Sequence, residues 1–484
     1  MKLRELKDKF FFKEVHGNLD LSVSGCTSDS RNVCQGDLFL CFTGEKHDGH
    51  DFALEALSKG AVGIVAQREI SGLPEGTPFF LTENVRLLAG PISSLIYGEP
   101  SKKLNVLGIT GTSGKTTTAY FIESCLKAAG KDAELVGSLD PTPEFPFHTT
   151  PEAPALQKRL KEIQKSGKEF AVLEVSSHAI HFGRINGIEF RGAVLTNIYR
   201  DHLDLHGTEE EYAYTKLKWL KSVSEKGTVV LNMDFPRSEE CLKFLNFRAK
   251  TVSLVSDADI RGSICSSWNL GNEVEVKYPG GTVRYFLSLP GEVNVSNSLS
   301  AFGMLFSLGI DPAILAEGLS QLREVKGRYK MLTTPWESAV IIDYAHTPVA
   351  LEKALSFARA IGKRVTLVFG CVGSGDRGKR PIMGKIAARL ADVIFVTTDD
   401  PREEDPVSTM EGIKLGLKQS GLKEGKEFFL IPDRSQAIAL AVKSSQKGDA
   451  VLIAGRGHEK YQRFKDRLVY LDDEEEVRKA MGEK

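Results

Sequence analysis

The sequence has little that would tie it down covalently or anchor it in a membrane. Its seven cysteines, Cys26, Cys34, Cys41, Cys125, Cys241, Cys265 and Cys371, are odd in number and include no C-x-x-C pair. That argues against a disulfide framework or a structural zinc site and predicts buried free thiols. No run approaches the ~18 uninterrupted apolar residues of a spanning helix. The opening MKLRELKDKFFFKEVHG carries charges inside its apolar run and does not read as a signal peptide. An excess of either charge is also missing. Sixty-three Lys+Arg stand against 64 Asp+Glu, a net charge of -1 that gives no pull toward nucleic acid or an anionic membrane. There is no short-period repeat, no low-complexity tract, no Ser-His-Asp order and no H-E-x-x-H. These absences lead us to expect a cytoplasmic protein.

What is present has three textures. With 484 residues the chain has room for about three domains. Residues 1–102 hold short strand-like runs (DLFLCFTG, AVGIVAQ, PFFLTE) and one helix, FALEALSKGA, with Phe52, Leu54, Leu57 and Ala61 roughly on one face. A small α/β domain is expected there. Residues 103–332 alternate strand and helix, with NVLGIT, FAVLEV, GAVLTNI and GTVVLN fit for buried parallel strands and YPGGTVRYF for a hairpin. Residues 333–484 repeat the alternation with AVIIDY, RVTLVFG, DVIFVTT and AVLIAG. Each of these strands ends in a polar or Gly-rich segment, and open α/β sheets bind ligands at those ends. The helix PIMGKIAARLAD should bury Ile382, Ile386 and Leu390.

The chemistry starts at LGITGTSGKTTTAYF, Leu107 to Phe121. A strand, a turn of small residues, then Lys, Thr and a helix is how a chain cradles a nucleotide triphosphate. Gly111, Thr112, Gly114 and Thr117 shape the loop; Lys115 would reach the β/γ-phosphates and Thr116 would ligate Mg²⁺. Ile109 stands where the general pattern has glycine. Glu174 ends the next strand, where a second Mg²⁺ ligand is expected. The stretch DHLDLHG holds Asp201, His202, Asp204 and His206. The i, i+4 histidines could suggest zinc, but without a third ligand one histidine helping to hold Mg²⁺ fits better. Lys216 alone reads as a solvated helix lysine. Asn294 and Asn297 could face adenine or cap a helix, while Arg328, Asp343 and His346 offer contacts to phosphate or ribose.

Taken in order, TSDSR, GTSGKTTT, TTPEA, EVSSHA, DHLDLHG…K, NVSN, GR, DYAHTP, GKRPIMG, DDPRE and GRGHE resemble the bacterial Mur ligases over nearly the whole chain. The resemblance implies a small N-terminal α/β domain for the uridine diphosphate end, a central phosphate-loop ATPase with a parallel sheet, and a Rossmann-like C-terminal domain. It implies an ATP-dependent amide ligase of peptidoglycan precursor synthesis. Such an enzyme adds meso-diaminopimelate to the D-glutamate γ-carboxylate of UDP-MurNAc-L-Ala-D-Glu through an acyl phosphate. Carried over by position, Ser30 matches a uridine contact, and Thr149, Thr150, Ser176 and Arg184 match contacts to the rest of that substrate. Thr116 and Glu174 match ligands of one Mg²⁺; His202 and a carbamylated Lys216 match a second metal site. Lys115, Lys216 and His202 take the catalytic roles, and Asn294, Asn297, Arg328, Asp343 and His346 the ATP contacts. Arg402, with Asp399 and Asp400, matches the grip on the distal carboxylate of diaminopimelate, and Gly455 and Glu459 its amino-acid head. A monomer is expected.

Some positions depart from that pattern. Asp400 stands where Asn is usual, Ser374 and Gly375 where an Asp-Arg pair is, Phe182 for Gln, His148 for Asn and Lys330 for Glu. L-lysine as acceptor remains the near alternative, and a phosphate-loop switch or motor the distant one. Arg402 favours diaminopimelate, because lysine has no distal carboxylate for a guanidinium to hold.

Overall fold

The computed structural model describes every residue except 45–46, 140–147, 247, 269–270 and 484. Three large sheets follow one another along the chain, and a two-stranded one lies near its end. The first has five strands in the order Glu14–His16, Phe79–Leu81, Gly63–Ala66, Asp37–Leu40, Gly25–Thr27, all parallel except the first pair. The second has nine. Its parallel part runs Ile260–Trp268, Lys250–Ser253, Thr228–Asn232, Phe190–Leu195, Asn105–Thr110, Phe170–Glu174, Ala133–Val136. Gly271–Tyr278 and Gly281–Leu287 extend it as the antiparallel hairpin expected of YPGGTVRYF. The third orders Lys330–Thr333, Ala339–Asp343, Ala450–Ala454, Val365–Phe369, Val393–Val396, Phe428–Leu430, antiparallel only at its first pair.

The parallel strands are continuous apolar runs because both sheet faces are covered. In the central domain one face packs under the helices Lys115–Ala128 and Glu292–Ser307, burying Phe121, Ile122, Cys125, Leu126 and Phe302. The other packs under Ala153–Lys165 and Glu209–Ser224, burying Leu156, Leu160, Leu217 and Trp219. Asn105–Thr110 lies between Phe170–Glu174 and Phe190–Leu195. The connections leave it on opposite sides, which opens a crevice at its carboxyl end. The third sheet has the same device, with Ala450–Ala454 inserted between Ala339–Asp343 and Val365–Phe369.

The structure revises several expectations. The helix Ala53–Ser58 buries Ala53 and Ala56 and leaves Phe52 and Leu54 exposed. It starts one residue after a 3-10 turn, Gly49–Phe52, so Phe52 is not on its face. Lys379–Leu390 buries Met383 and Ala387, while Ile382 faces out. The small residues there sit closest to the neighbouring helix Pro406–Gln419, where Gly384 meets Ile413. All seven cysteines are free as expected, but Cys34 and Cys265 are exposed rather than buried. The first strand of the third sheet, Lys330–Thr333, spans the expected domain junction at 332/333.

Candidate active site

The phosphate loop is built by backbone conformations that only glycine accepts easily. Gly111 and Gly114 have φ 148° and 87°, values L-residues rarely adopt. A Cβ on Gly111 would come within 3.0 Å of Thr196, and one on Gly114 within 3.0 Å of Asn297. The Thr112 and Ser113 N–H groups donate to Asn197, its carbonyl at 3.0 Å and its side chain at 3.1 Å. The helix begins at Lys115, so its first N–H groups have no intrahelical partner and point into the crevice. Lys115 Nζ curls back to the carbonyls of Gly111 and Thr112, at 3.0 and 3.1 Å.

Around this loop the expected residues converge. The Thr116 hydroxyl donates to Glu174 Oε2 at 2.9 Å and accepts from Arg328 at 3.1 Å. Glu174 is buried, and its other oxygen accepts from the Ser138 N–H at 2.9 Å. Lys216 is 1% exposed; its Nζ donates to the Thr110 hydroxyl and the Gly111 carbonyl, both at 3.3 Å, and lies over the Tyr212 ring, 4.7 Å from its centre. Burial, then the charge of Lys115, drives its pKa well below the usual lysine value. Burial likewise lowers Lys115 and takes His202 down to about 3. His202 sits in a left-handed conformation, φ 52°, next to buried Asp201. His202 and His206 do not belong to a group of three His, Cys, Asp or Glu ligands close enough together to share an ion; among the described residues the only such group is exposed Glu14, His16 and Glu69.

The third domain closes the crevice. Lys379 Nζ and His346 Nε2 lie 3.6 and 3.9 Å from the Asp201 carboxylate, and Arg200 pairs with Asp376 at 3.1 Å. The resulting cavity is lined by Gly114 to Thr117, Glu174, His202, Asn294, Asn297, Arg328, Asp343 and His346. Asp343 accepts from the Tyr329 N–H at 3.0 Å, and burial raises its pKa to about 6. Asn294 is turned to the Pro290 carbonyl, at 2.7 Å, as a helix-start contact.

A second cavity adjoins the first and shares Ser138, Thr149 and Tyr344 with it. Its far wall is His458, Glu459, Lys460, Arg463 and Leu468, with Lys326 opposite. Glu459 is held by the Tyr344 hydroxyl at 3.0 Å and by Arg456 at 3.6 Å. Gly455, φ 113°, leaves no room for a Cβ beside the buried Asp399 carboxylate. Arg402 lies outside this lining, its Nε 3.4 Å from Asp400.

Three family models match the chain: "Mur ligase family, catalytic domain" over 22–77, "Mur ligase middle domain" over 109–305 and "Mur ligase, glutamate ligase domain" over 327–457. A UDP-N-acetylmuramoyl-L-alanyl-D-glutamate--2,6-diaminopimelate ligase of Clostridium tetani is 34% identical over 492 residues, covering 100% of both chains. The protein of that name from Synechococcus elongatus is 37% identical over 482 residues, covering 97% of this chain and 96% of its own. This chain belongs to the Mur ligase family. A solved ligase of that name superposes on it with a TM-score of 0.67 at 30% identity, covering 100% of this chain and 99% of its own. A MurF ligase of Thermotoga maritima solved with ADP, 21% identical and covering 96% of this chain and 99% of its own, shares the fold at a TM-score of 0.68.

In this Mur ligase the residues matched to the UDP substrate fall in two places. Thr150 Oγ1 donates to the Glu174 carbonyl at 2.7 Å, and Ser176 caps a short helix through the Ala179 N–H at 3.1 Å. Arg184 is buried, donates to the Thr150 carbonyl at 3.0 Å and pairs with Glu152 at 2.8 Å. Phe182 lies under the guanidiniums of Arg86 and Arg184, 5.2 and 5.9 Å from its ring centre. Ser30 is buried and donates to Glu55 at 3.1 Å, while its neighbours Ser28, Asp29 and Asn32 line a cleft running to Glu152 and Lys158. Sequence reasoning missed Ser138, Tyr344, Lys379 and Arg463. Lys379 sits in GKRP and Arg463 four residues after GRGHE, but neither motif says which side chain faces the crevice.

Proposed function

We propose that this Mur ligase joins an amine of meso-diaminopimelate to the D-glutamate γ-carboxylate of UDP-MurNAc-L-Ala-D-Glu, cleaving ATP to ADP and phosphate. The observation that carries this reading is the adjacency of the two cavities. The phosphate cleft shares Ser138, Thr149 and Tyr344 with a second cavity whose lining mixes lysine, arginine and one carboxylate, the complement of a zwitterionic amino acid. The names of the end-to-end relatives support the choice of acceptor.

The chemistry follows from the charges. A carboxylate and the γ-phosphate of ATP repel each other, so Lys115 and Arg328 screen the approach of the carboxylate oxygen to phosphorus. That attack releases ADP and forms an acyl phosphate. The acceptor amine then adds to the carbonyl carbon, phosphate leaves with the C–O electron pair, and the nitrogen loses a proton. Glu459 and the cations beside it hold the acceptor so that its amine faces that carbon, which removes much of the entropic barrier.

The residues present fit Mg²⁺. Glu174 is buried with a hydroxyl and an N–H as its hydrogen-bond partners, and Thr116 and His202 stand nearby. Mg²⁺ held there would supply charge neutralisation for the transferred phosphoryl group. Lys216 joins the set only as an anion. A buried amine held neutral is the form that adds to carbon dioxide, forming an N–C bond and releasing a proton. We infer that Lys216 is carbamylated. We place the enzyme in the bacterial cytoplasm as a monomer, acting on small molecules.

Phosphate release tests the reading. It should require both UDP-MurNAc-L-Ala-D-Glu and meso-diaminopimelate. Equal turnover with L-lysine would overturn the acceptor assignment, and steady release with neither acceptor would overturn the ligase.

A further inference from the structure

The charge at Asp400 is answered by a residue sixty-odd positions later. Asp400 is 1% exposed. The Arg463 backbone N–H donates to its Oδ1 at 2.6 Å, and Arg463 Nε donates to Oδ2 at 2.7 Å; Nη2 also pairs with that oxygen. Arg402 Nε lies 3.4 Å from the same Oδ2. The two arginines are tied through the backbone as well, since the Arg402 N–H donates to the Arg463 carbonyl at 2.7 Å and Arg402 bridges to Phe464. Arg402 itself is held in the left-handed region, φ 55°. Two guanidiniums therefore flank one buried carboxylate and leave a net charge of about +1. With Arg463 removed, Asp400 and Arg402 would cancel.

Arg463 belongs to the short hairpin strand Tyr461–Arg463, paired with Leu468–Tyr470. It lines the second cavity alongside Glu459, Lys460, His148 and Lys326. The pKa of His148 is lowered by burial first, then by Arg184, with Arg463 a lesser contributor. Arg463 thus both pairs with Asp400 and lines the cavity.

We propose that Arg463 is a specificity-determining residue of the acceptor site. It neutralises Asp400, so that the trio of Asp400, Arg402 and Arg463, of which Arg463 lines the cavity, keeps one net positive charge to offer the distal carboxylate of the amino acid. Bidentate guanidinium–carboxylate recognition needs such a surplus, because an arginine already spent on an internal carboxylate gains little from a second. This inference rests on the acceptor assignment above.

The test compares Arg463→Met, Asp400→Asn and the double variant with wild type, with meso-diaminopimelate and L-lysine as acceptors. Wild type turning over diaminopimelate establishes the assignment on which the inference stands. Its failure to do so would sink that assignment independently of Arg463. We expect Arg463→Met to raise the KM for diaminopimelate roughly tenfold to a hundredfold. The KM for ATP should stay near wild type, kcat should fall by less than the KM for diaminopimelate rises, and the KM for lysine should be unchanged or lower. Asp400→Asn in the Arg463→Met background should restore most of the loss, because Arg402 then has no carboxylate to cancel it. A purely structural Arg463 would lower kcat and melting temperature together and would not be rescued by Asp400→Asn; that result overturns the proposal. So does an unchanged diaminopimelate KM in Arg463→Met. If Arg463→Met does not fold, Asp400→Asn alone decides: a diaminopimelate KM at or below wild type supports the charge count, and a rise refutes it.

Discussion

Replacing Gly114 by alanine probes the phosphate loop where it is least tolerant. The residue sits at φ 87°, ψ −9°, and a left-handed alanine costs roughly 1–2 kcal/mol. A Cβ there would also come within 3.0 Å of the Asn297 side-chain oxygen. Asn297 is buried on the helix Glu292–Ser307, so it has little freedom to yield and the loop must move instead. Losing one backbone hydrogen bond to a charged phosphate costs roughly 1.5–3 kcal/mol. Together these amount to about 2.5–5 kcal/mol, or roughly a factor of 10² to 10⁴ in kcat/KM for ATP. The assay is the ATP dependence of phosphate release, with thermal melting alongside to show that the fold survives. Asn297→Ala separates the two contributions, provided that it is also measured alone, since Asn297 lines the same cleft. Relative to Asn297→Ala, adding Gly114→Ala should cost only the strain, so its effect shrinks by roughly tenfold to a hundredfold. A Gly114→Ala enzyme within about threefold of wild type would refute the reasoning. So would a loss that Asn297→Ala does not relieve.

Three further outcomes are expected. Lys216→Arg should lose most activity, since guanidinium cannot form a carbamate; intact-mass measurement of wild type in bicarbonate should show one added carbon dioxide that the variant lacks. Asp343 has its pKa raised by burial to about 6, so the folded state holds that proton more tightly than the unfolded chain. Its contribution to stability is full below the unfolded value near 4 and declines as pH rises through about 6. Denaturant melts of Asp343→Asn should therefore lose less stability than wild type between those two pH values. Arg434 and Asp473 form a doubly bonded pair, both bonds 2.8 Å, with neither side chain exposed. Arg434→Met strands a buried carboxylate, and urea unfolding should show a loss of about 3–5 kcal/mol.

Signals carried by neighbours in sequence were legible. The phosphate loop, the parallel strands and the hairpin near Gly280 each announce themselves in a dozen residues. Faces of short helices were less so. Phe52 and Leu54 looked like a core face, but Phe52 ends a 3-10 turn, the helix after it is only six residues long, and alanines make its contact. Ser138 and Arg463 were illegible for a different reason. Each acts on a partner far along the chain, Ser138 on Glu174 and Arg463 on Asp400, and no local pattern encodes that pairing. Asp400 stood out in sequence as an unwanted charge, and only the fold showed what answers it.

Asp201 has a consequence for the way the domains meet. Its carboxylate belongs to the central domain, yet Lys379 and His346 approach it from the third. With the domains apart, it would lose both and keep His202, 3.4 Å away on the adjacent residue, and the charges of Lys115 and Lys216. One buried carboxylate thus serves as a shared anchor, and domain separation would strip the central half of the crevice of the two groups that the third domain brings to it.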